Sequence, residues 1–405
     1  MQLTKTGSAQ RFGPPFIVLY IVVLQMFSIF ATDMYTPALP DMVTQFGESE
    51  SIVNMTVLLF FAFNIVGMLL FGPLSDKTGR RPIILLMVSL FIVASLACAA
   101  ATTIWALIGF RVVQAIACGG NLSLTLALVK DTFMGRSRET VLMITQAITV
   151  IGPILAPVFG AQMLLWFSWR AVFVALALLG VIGLFLAVLS RESLAVEDRA
   201  EGSLAASLKG LAVVAKNGRF MVFMLVTTMY FAVPFYCYLS LSPYIYESFF
   251  GLTPLEFSYF FAATAGLSVL GLLIYRLIGN HVSLKHLITV LLLLVAAIGV
   301  AMLCVGHISP WAFFACILVL QVIGSMVRPF SVNILFDLQS KDTGAASSMM
   351  NCTFSVVGVL GMLPVVLLSG NYITGLGVLI CIGVAISLML WVGLLRSSAT
   401  IPGIK

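Results

Sequence analysis

The chain has 405 residues, of which 61% are hydrophobic and 9% charged, with a formal net charge of +6. Soluble globular chains carry about 25% charged residues, so this composition excludes a water-soluble fold and places the chain in lipid. The basic residues are scattered over short loops and the aromatics interleave with leucines, which argues against a nucleic-acid-binding surface.

A spanning helix needs roughly 20 apolar residues. Twelve such windows are predicted, at about 15–39, 52–74, 82–100, 104–129, 141–164, 168–189, 219–241, 255–275, 285–306, 311–335, 344–368 and 373–395. Open sheets cannot span a bilayer and the windows are too long for barrel strands, so the expected fold is an all-α integral membrane protein. Arg11 precedes a run long enough to span, which argues against a cleavable signal peptide. With the N-terminus inside, Lys77, Arg80, Arg81, Lys130, Arg136, Arg138, Arg276, Lys285 and Lys341 fall on the cytoplasmic side, against Arg170 alone outside. That asymmetry predicts both termini inside.

Span one ends in FATDMYTPALP, where Asp33 lies seven residues before Pro40, about 10 Å below the outer edge. A charge at mid-bilayer costs about 2.5–3.5 kcal/mol even on insertion scales, so such residues are usually functional. Arg111 in span four lies seven residues after Ile104, at matching depth, and an Asp33–Arg111 ion pair is expected. Desolvation and a nearby cation act in opposite senses on a carboxylate, so small rearrangements can move it between charged and neutral. Asp33 is therefore read as a proton site, with an interfacial helix-capping role as the plainer alternative.

Between spans two and three, GPLSDKTGRRP supplies Gly79 for a tight turn and sets Asp76 four and five residues from Arg80 and Arg81. A solvated basic turn would look the same. Asp131 ends span four beside Lys130, Arg136 and Arg138. In span five, Gly152, Ala156 and Gly160 recur every fourth residue, a smooth ridge on which another helix backbone can pack. Pro153 and Pro157 keep the same period, each removes a helix hydrogen bond, and together they favour a bend.

Residues 190–218 are charged, then amphipathic, and are read as a linker with a surface helix at 203–215. They divide a six-helix half, residues 1–189, from a second, residues 219–405. Two such halves suggest a duplicated transporter with its substrate site at midplane. The internal repeat is weak: YRLIGNHVSLK (275–285) keeps the glycine of the 76–82 loop but lacks its aspartate. Around Pro234 in span seven, Tyr230, Phe235, Tyr236 and Tyr238 could line a greasy substrate pocket or simply pack. Asn64, Asn121, Asn333 and Asn351 face a cavity or bridge helices. Arg328 in span ten is expected to snorkel or to pair with Asp337. The seven cysteines match no metal or redox motif and read as packing residues; the three histidines offer no zinc cluster.

The loop Gly72–Pro82 resembles the signature of the major facilitator superfamily. FRVVQA (110–115), with Arg111 and Gln114, looks like the family's second motif, with Ala115 where a glycine is usual. GPILAPVFG (152–160) is similar to the antiporter motif of drug–proton exchangers. ATDMYTPALP together with VKDTFMGRSRE (129–139) is similar to the Bcr/CflA branch of multidrug exporters. The resemblance implies two pseudo-symmetric six-helix halves in a bacterial inner membrane, acting without a cofactor and as a monomer. It implies that Asp76, Gly79, Arg80, Arg81 and Asp131 form a conformational gate, and that the span-five ridge marks exchange. Several relatives carry a second carboxylate two turns before the position of Asp33; here that residue is Gln25, which favours neutral or zwitterionic drugs.

The expected function is proton-coupled export of small, mostly hydrophobic drugs, with a sugar or amino-acid-like metabolite as the alternative cargo. Asp33 and Arg111 would couple the proton, and Gln25, Asn64, Gln114 and the span-seven aromatics would join them in binding substrate. An intramembrane enzyme would need a Ser–His, HExxH or paired-aspartate constellation in the spans, and the sequence has none.

Overall fold

The computed structural model describes residues 2–4, 12–199, 212–279, 281–339, 343–367 and 371–396. Most of the surface helix expected at 203–215, and Lys341, lie outside these residues. Twelve helical segments among the described residues are long and apolar enough to cross a membrane. Spans one to six are Pro14–Phe46, Glu50–Thr78, Arg80–Ala99, Ile104–Thr132, Gly135–Leu164 and Trp169–Leu189. Spans seven to ten are Gly218–Phe249, Pro254–Ile278, Leu284–Val305 and Pro310–Leu338; span eleven is the helix Thr343–Leu367 and span twelve Tyr372–Arg396. Several run past their expected ends, because an apolar window measures hydrocarbon thickness while a helix continues through the interface.

Span one is broken where the sequence reading drew it continuous. Its first helix stops at Asp33, a 3₁₀ turn follows at Thr36–Ala38, and a second helix runs from Leu39 to Phe46. Pro37 has no N–H to give the carbonyl of Asp33 four residues back. The Thr36 hydroxyl donates to that carbonyl instead, at 2.9 Å. The turn keeps its polar groups satisfied while redirecting the chain just beyond the carboxylate.

Contacts cluster the chain into two compact units, Met1–Leu204 with Pro254–Ala262, and Ala205–Thr253 with Ala263–Lys405. The first therefore takes in the start of span eight, which the sequence reading gave to the second half. Within the first unit, span one packs on spans four, five and six, span four on two and three, and span three on six. Within the second, span seven packs on ten, eleven and twelve, span ten on eight and nine, and span nine on twelve. Shifting every number by six turns one list into the other. The repeat that is faint in sequence is plain in these packings. Close backbone approaches between spans two and four and between spans eight and ten match as well. A Cβ at Gly119 in span four would lie 1.9 Å from the Asn64 carbonyl of span two, and one at Gly271 in span eight 2.1 Å from the Val322 carbonyl of span ten.

Candidate functional site

Asp33 closes the first helix of span one and is 4% exposed. Its carboxylate makes no ion pair; among the described residues the ion pairs are Arg80–Asp76 and Arg80–Asp131. The expected Asp33–Arg111 pair is therefore not formed. Arg111 is fully buried and occupied elsewhere. Its Nη1 donates to the Ala31 carbonyl at 2.8 Å and to Gln114 Oε1 at 2.7 Å. Ala31 lies in the last turn of its helix, where carbonyls lack intrahelical partners and the helix dipole favours a cation. The guanidinium lies over Phe60 and Tyr35, 4.1 and 4.3 Å from their ring centroids, so two π faces supply what a carboxylate would have supplied. Nε and Nη2 of Arg111 have no hydrogen-bond partner. Gln114 extends the chain, donating to Ser95 Oγ at 2.8 Å, and this ties spans one, four and three together.

Below Asp33, span one bonds to its neighbours through weak polar contacts. Gln25 Nε2 donates to Thr149 Oγ1 of span five, and Asn64 Nδ2 of span two donates to Ser28 Oγ, each at 3.3 Å. The small-residue ridge of span five lies against the same helix. A Cβ at Gly152 would meet Ile29, and one at Gly160 would lie 1.8 Å from the Met34 carbonyl, beside the break after Asp33. The helix Gly135–Leu164 runs through Pro153 and Pro157, and Ala156 and Pro157 are buried with the glycines. The ridge thus abuts the segment that carries the carboxylate.

The junction of spans two and three is a single residue. Helix Glu50–Thr78 ends, Gly79 takes φ +103°, and Arg80 starts the next helix. Arg80 bridges both candidate gate carboxylates, Nη1 to Asp76 at 2.6 Å and Nε to Asp131 at 2.8 Å, and Nη1 also donates to Ser75 Oγ. Asp76 is half exposed, whereas Arg80 and Asp131 are largely covered. Asp131 belongs to the last turn of span four, not to the loop after it. Glu192, just past span six, accepts from the backbone N–H of Arg80 at 2.8 Å and of Arg81 at 3.1 Å, and from those of Ser193 and Leu194. It fills the positive end of span three. Arg81 itself reaches the Val188 carbonyl at 3.0 Å.

The span-seven aromatics divide. Phe235 and Tyr236 gather with Phe231 and with Phe354 of span eleven, ring centroids 5.6–6.1 Å apart. Tyr238 turns away and donates to Thr264 Oγ1 at 3.2 Å, while Tyr230 lines an apolar gap with Ile288, Leu291 and Val327. Arg328 does not pair with Asp337. Nine residues along a helix is two and a half turns, so Asp337 lies on the opposite face. Asn121 is fully buried, whereas Asn333 and Asn351 are exposed.

The major facilitator superfamily model matches residues 21–362. This chain belongs to that superfamily. It is 27% identical to the uncharacterized MFS-type transporter YdgK of Bacillus subtilis (strain 168), over 88% of this chain and 87% of that protein. It is 30% identical to the multidrug resistance protein MdtL of Escherichia coli O9:H4 (strain HS), over 58% of this chain and 60% of that one. It is also 34% identical to a chloramphenicol resistance protein of Pseudomonas aeruginosa, over 39% of each. The chain thus spans less than two thirds of both resistance proteins. In fold it is similar to a bacterial homologue of the human lysosomal transporter Spinster (TM-score 0.74, 15% identity, 94% of this chain and 96% of that one). A D-xylose–proton symporter is similar too (TM-score 0.67, 14% identity, 96% and 98%).

In this major facilitator, Glu192 is the residue that the sequence reading missed. It stands 112 positions from Arg80, inside a segment taken as a charged linker. The available signal was local. Gly79 at positive φ leaves no room for a Cβ, which would lie 2.5 Å from Glu192 Oε2. A glycine before two arginines, and an acid directly after a span that ends on the same side, are compatible with that contact.

Proposed function

We propose that the chain exports small, mostly hydrophobic drugs in exchange for protons by alternating access, with Asp33 as the proton carrier. One observation carries the reading. Asp33 is a buried carboxylate inside a spanning segment, with no cation paired to it, at a helix break against which the span-five ridge packs. Ionisable residues within spans mark ion pathways and proton relays. Arg111 donates to the Ala31 carbonyl, two residues before Asp33, and keeps two nitrogens unbonded, so a modest shift could offer it to Asp33 or to a substrate. The Arg80–Asp76–Asp131 cluster supports a gate that makes and breaks on the side where both termini lie, the cytoplasmic face of an inner membrane. The resistance proteins among the relatives favour drugs as cargo.

The test is transport into and out of proteoliposomes with an imposed pH gradient against a small drug panel. Wild-type protein should move at least one hydrophobic drug against its gradient, and Asp33→Asn should bind it but not respond to pH. Gradient-driven efflux by Asp33→Asn at the wild-type rate would falsify the proton-carrier assignment. Competition by sugars or amino acids, with none by drugs, would move the cargo to metabolites.

A further inference from the structure

Span ten carries a second intramembrane cation that no partner occupies. Arg328 lies ten residues before Leu338, the end of its helix, so its Cα is about 15 Å from that end. Charged groups at such depth face protein or water, not hydrocarbon. Arg328 is exposed, and among the described residues its guanidinium enters neither ion pair. Arg111, in span four, is by contrast fully buried and donates to Ala31 and Gln114.

The surroundings of Arg328 are aromatic and hydroxylic. Gly324, one turn earlier on the same face, lies so close to span seven that a Cβ would meet Phe231 Cε2 at 2.2 Å. Arg328 is thereby set on the side of span ten that faces the Phe231, Phe235 and Phe354 rings. Tyr236 of that group donates to Ser355 Oγ at 3.0 Å, and the Arg328 charge is within coulombic reach of the Tyr236 hydroxyl. All of these residues belong to the second unit.

We infer that Arg328, with the Tyr236 and Ser355 hydroxyls, is an anion subsite that takes the carboxylate of an aromatic organic acid or zwitterion, while the phenylalanine rings hold its apolar body. The proposal rests on the export reading above and names the substrate class within it. A guanidinium fork matches a carboxylate with two parallel hydrogen bonds, and such charge-assisted bonds are about twice as strong as neutral ones. The phenylalanine rings offer edges and faces to a planar body but no charge to reject it. The site would therefore prefer an acid over its neutral amide by about tenfold to a hundredfold.

The test is equilibrium binding of 7-methoxycoumarin-4-acetate and of its neutral amide to purified full-length protein in phosphatidylcholine nanodiscs. Wild type should bind the acid more tightly. Arg328→Gln should bring the acid-to-amide ratio near one with amide affinity kept, and Arg328→Lys should retain part of the preference. Equal binding of acid and amide by wild type, or an unchanged preference in Arg328→Gln, would overturn the proposal. If Arg328→Gln fails to fold, Arg328→Lys decides: a preference equal to that of wild type counts against the fork. Doping the discs with phosphatidylglycerol should leave acid binding unchanged; its loss would assign Arg328 to lipid headgroups instead. The readout needs no gradient. A retained acid preference without pH-driven transport therefore sinks the proton-exchange reading and leaves the subsite standing.

Discussion

Asp33 and Arg111 do not form an ion pair, and the reason is angular. Counting residues from span ends gives depth at 1.5 Å per residue, but each residue also rotates the side chain by about 100°. The count placed both charges at one height; it could not say that Arg111 would turn to the Ala31 carbonyl and lie between Phe60 and Tyr35. Asp33 itself was legible, because a lone carboxylate in an apolar run is costly enough to stand out. Three outcomes follow at this scale. Asp33→Asn should reach the membrane and keep its melting temperature within a few degrees while losing pH-driven transport, as read in proteoliposomes and by thermal unfolding. Arg111→Lys should lower the transport rate about tenfold or more, because a point charge cannot lie flat between two rings and bond two oxygens together. Arg111→Ala should be worse and should also unfold earlier, since it leaves the Ala31 carbonyl and Gln114 Oε1 buried without a donor. Full activity in the lysine variant would show that the planar group is dispensable.

Helix ends, not helix middles, hold the features that the sequence hid. The junction of spans two and three was expected to be a loop of several residues, and it is one glycine with a carboxylate from beyond span six seated on it. Glu192 left only a faint local signal because its role depends on a contact more than a hundred residues away, whereas Asp76 and Arg80 are neighbours one turn apart and could be read directly. Gly79→Ala would force an L-residue to positive φ and press its methyl against Glu192, and should destabilise the protein by about 1–3 kcal/mol. Combined with Glu192→Ala, part of that penalty should disappear, because the clash goes with the carboxylate. A double-mutant cycle on thermal stability measures the difference; strict additivity would mean that the two residues do not meet. Asp76→Asn, which keeps the helix and weakens one side of the Arg80 bridge, should slow exchange while leaving equilibrium drug affinity nearly intact. A large loss of affinity at an unchanged exchange rate would count against a gate.

For the molecule as a whole, the matching packing lists of the two units show a duplication that the residues no longer spell out. Packing order is preserved by helix lengths and small contact residues, which tolerate wide substitution, so only the loop at 275–285 kept a trace in sequence. The duplication is unequal in charge. Among the described residues Asp33 is the one buried carboxylate, and it lies in the first unit. If one proton exchanges per cycle through it, a neutral drug leaving as a proton enters moves one net charge inward. A potential of 100 mV then adds about 2.3 kcal/mol of driving force, while a monocation gains nothing from it. Collapsing the potential with valinomycin and potassium at fixed pH gradient should weaken efflux of neutral drugs and spare that of monocations. Neutral-drug efflux that ignores the potential would rule out single-proton exchange.

The backbone pairing of Leu3 with Phe133 has a consequence for how the chain is made and how it works. Thr4 N–H donates to the Thr132 carbonyl at 3.0 Å, Met134 N–H to Gln2 at 3.3 Å, and the Thr4 hydroxyl to the Asp131 carbonyl. None of these bonds can close until span four has been synthesised, so residues 2–4 wait through four insertions before they are fastened. Once fastened, they buttress the peptide that presents Asp131 to Arg80. A Thr4→Val substitution, which removes the hydroxyl's bond to the Asp131 carbonyl, should therefore loosen the Asp131–Arg80 bridge and slow transport at otherwise normal yield.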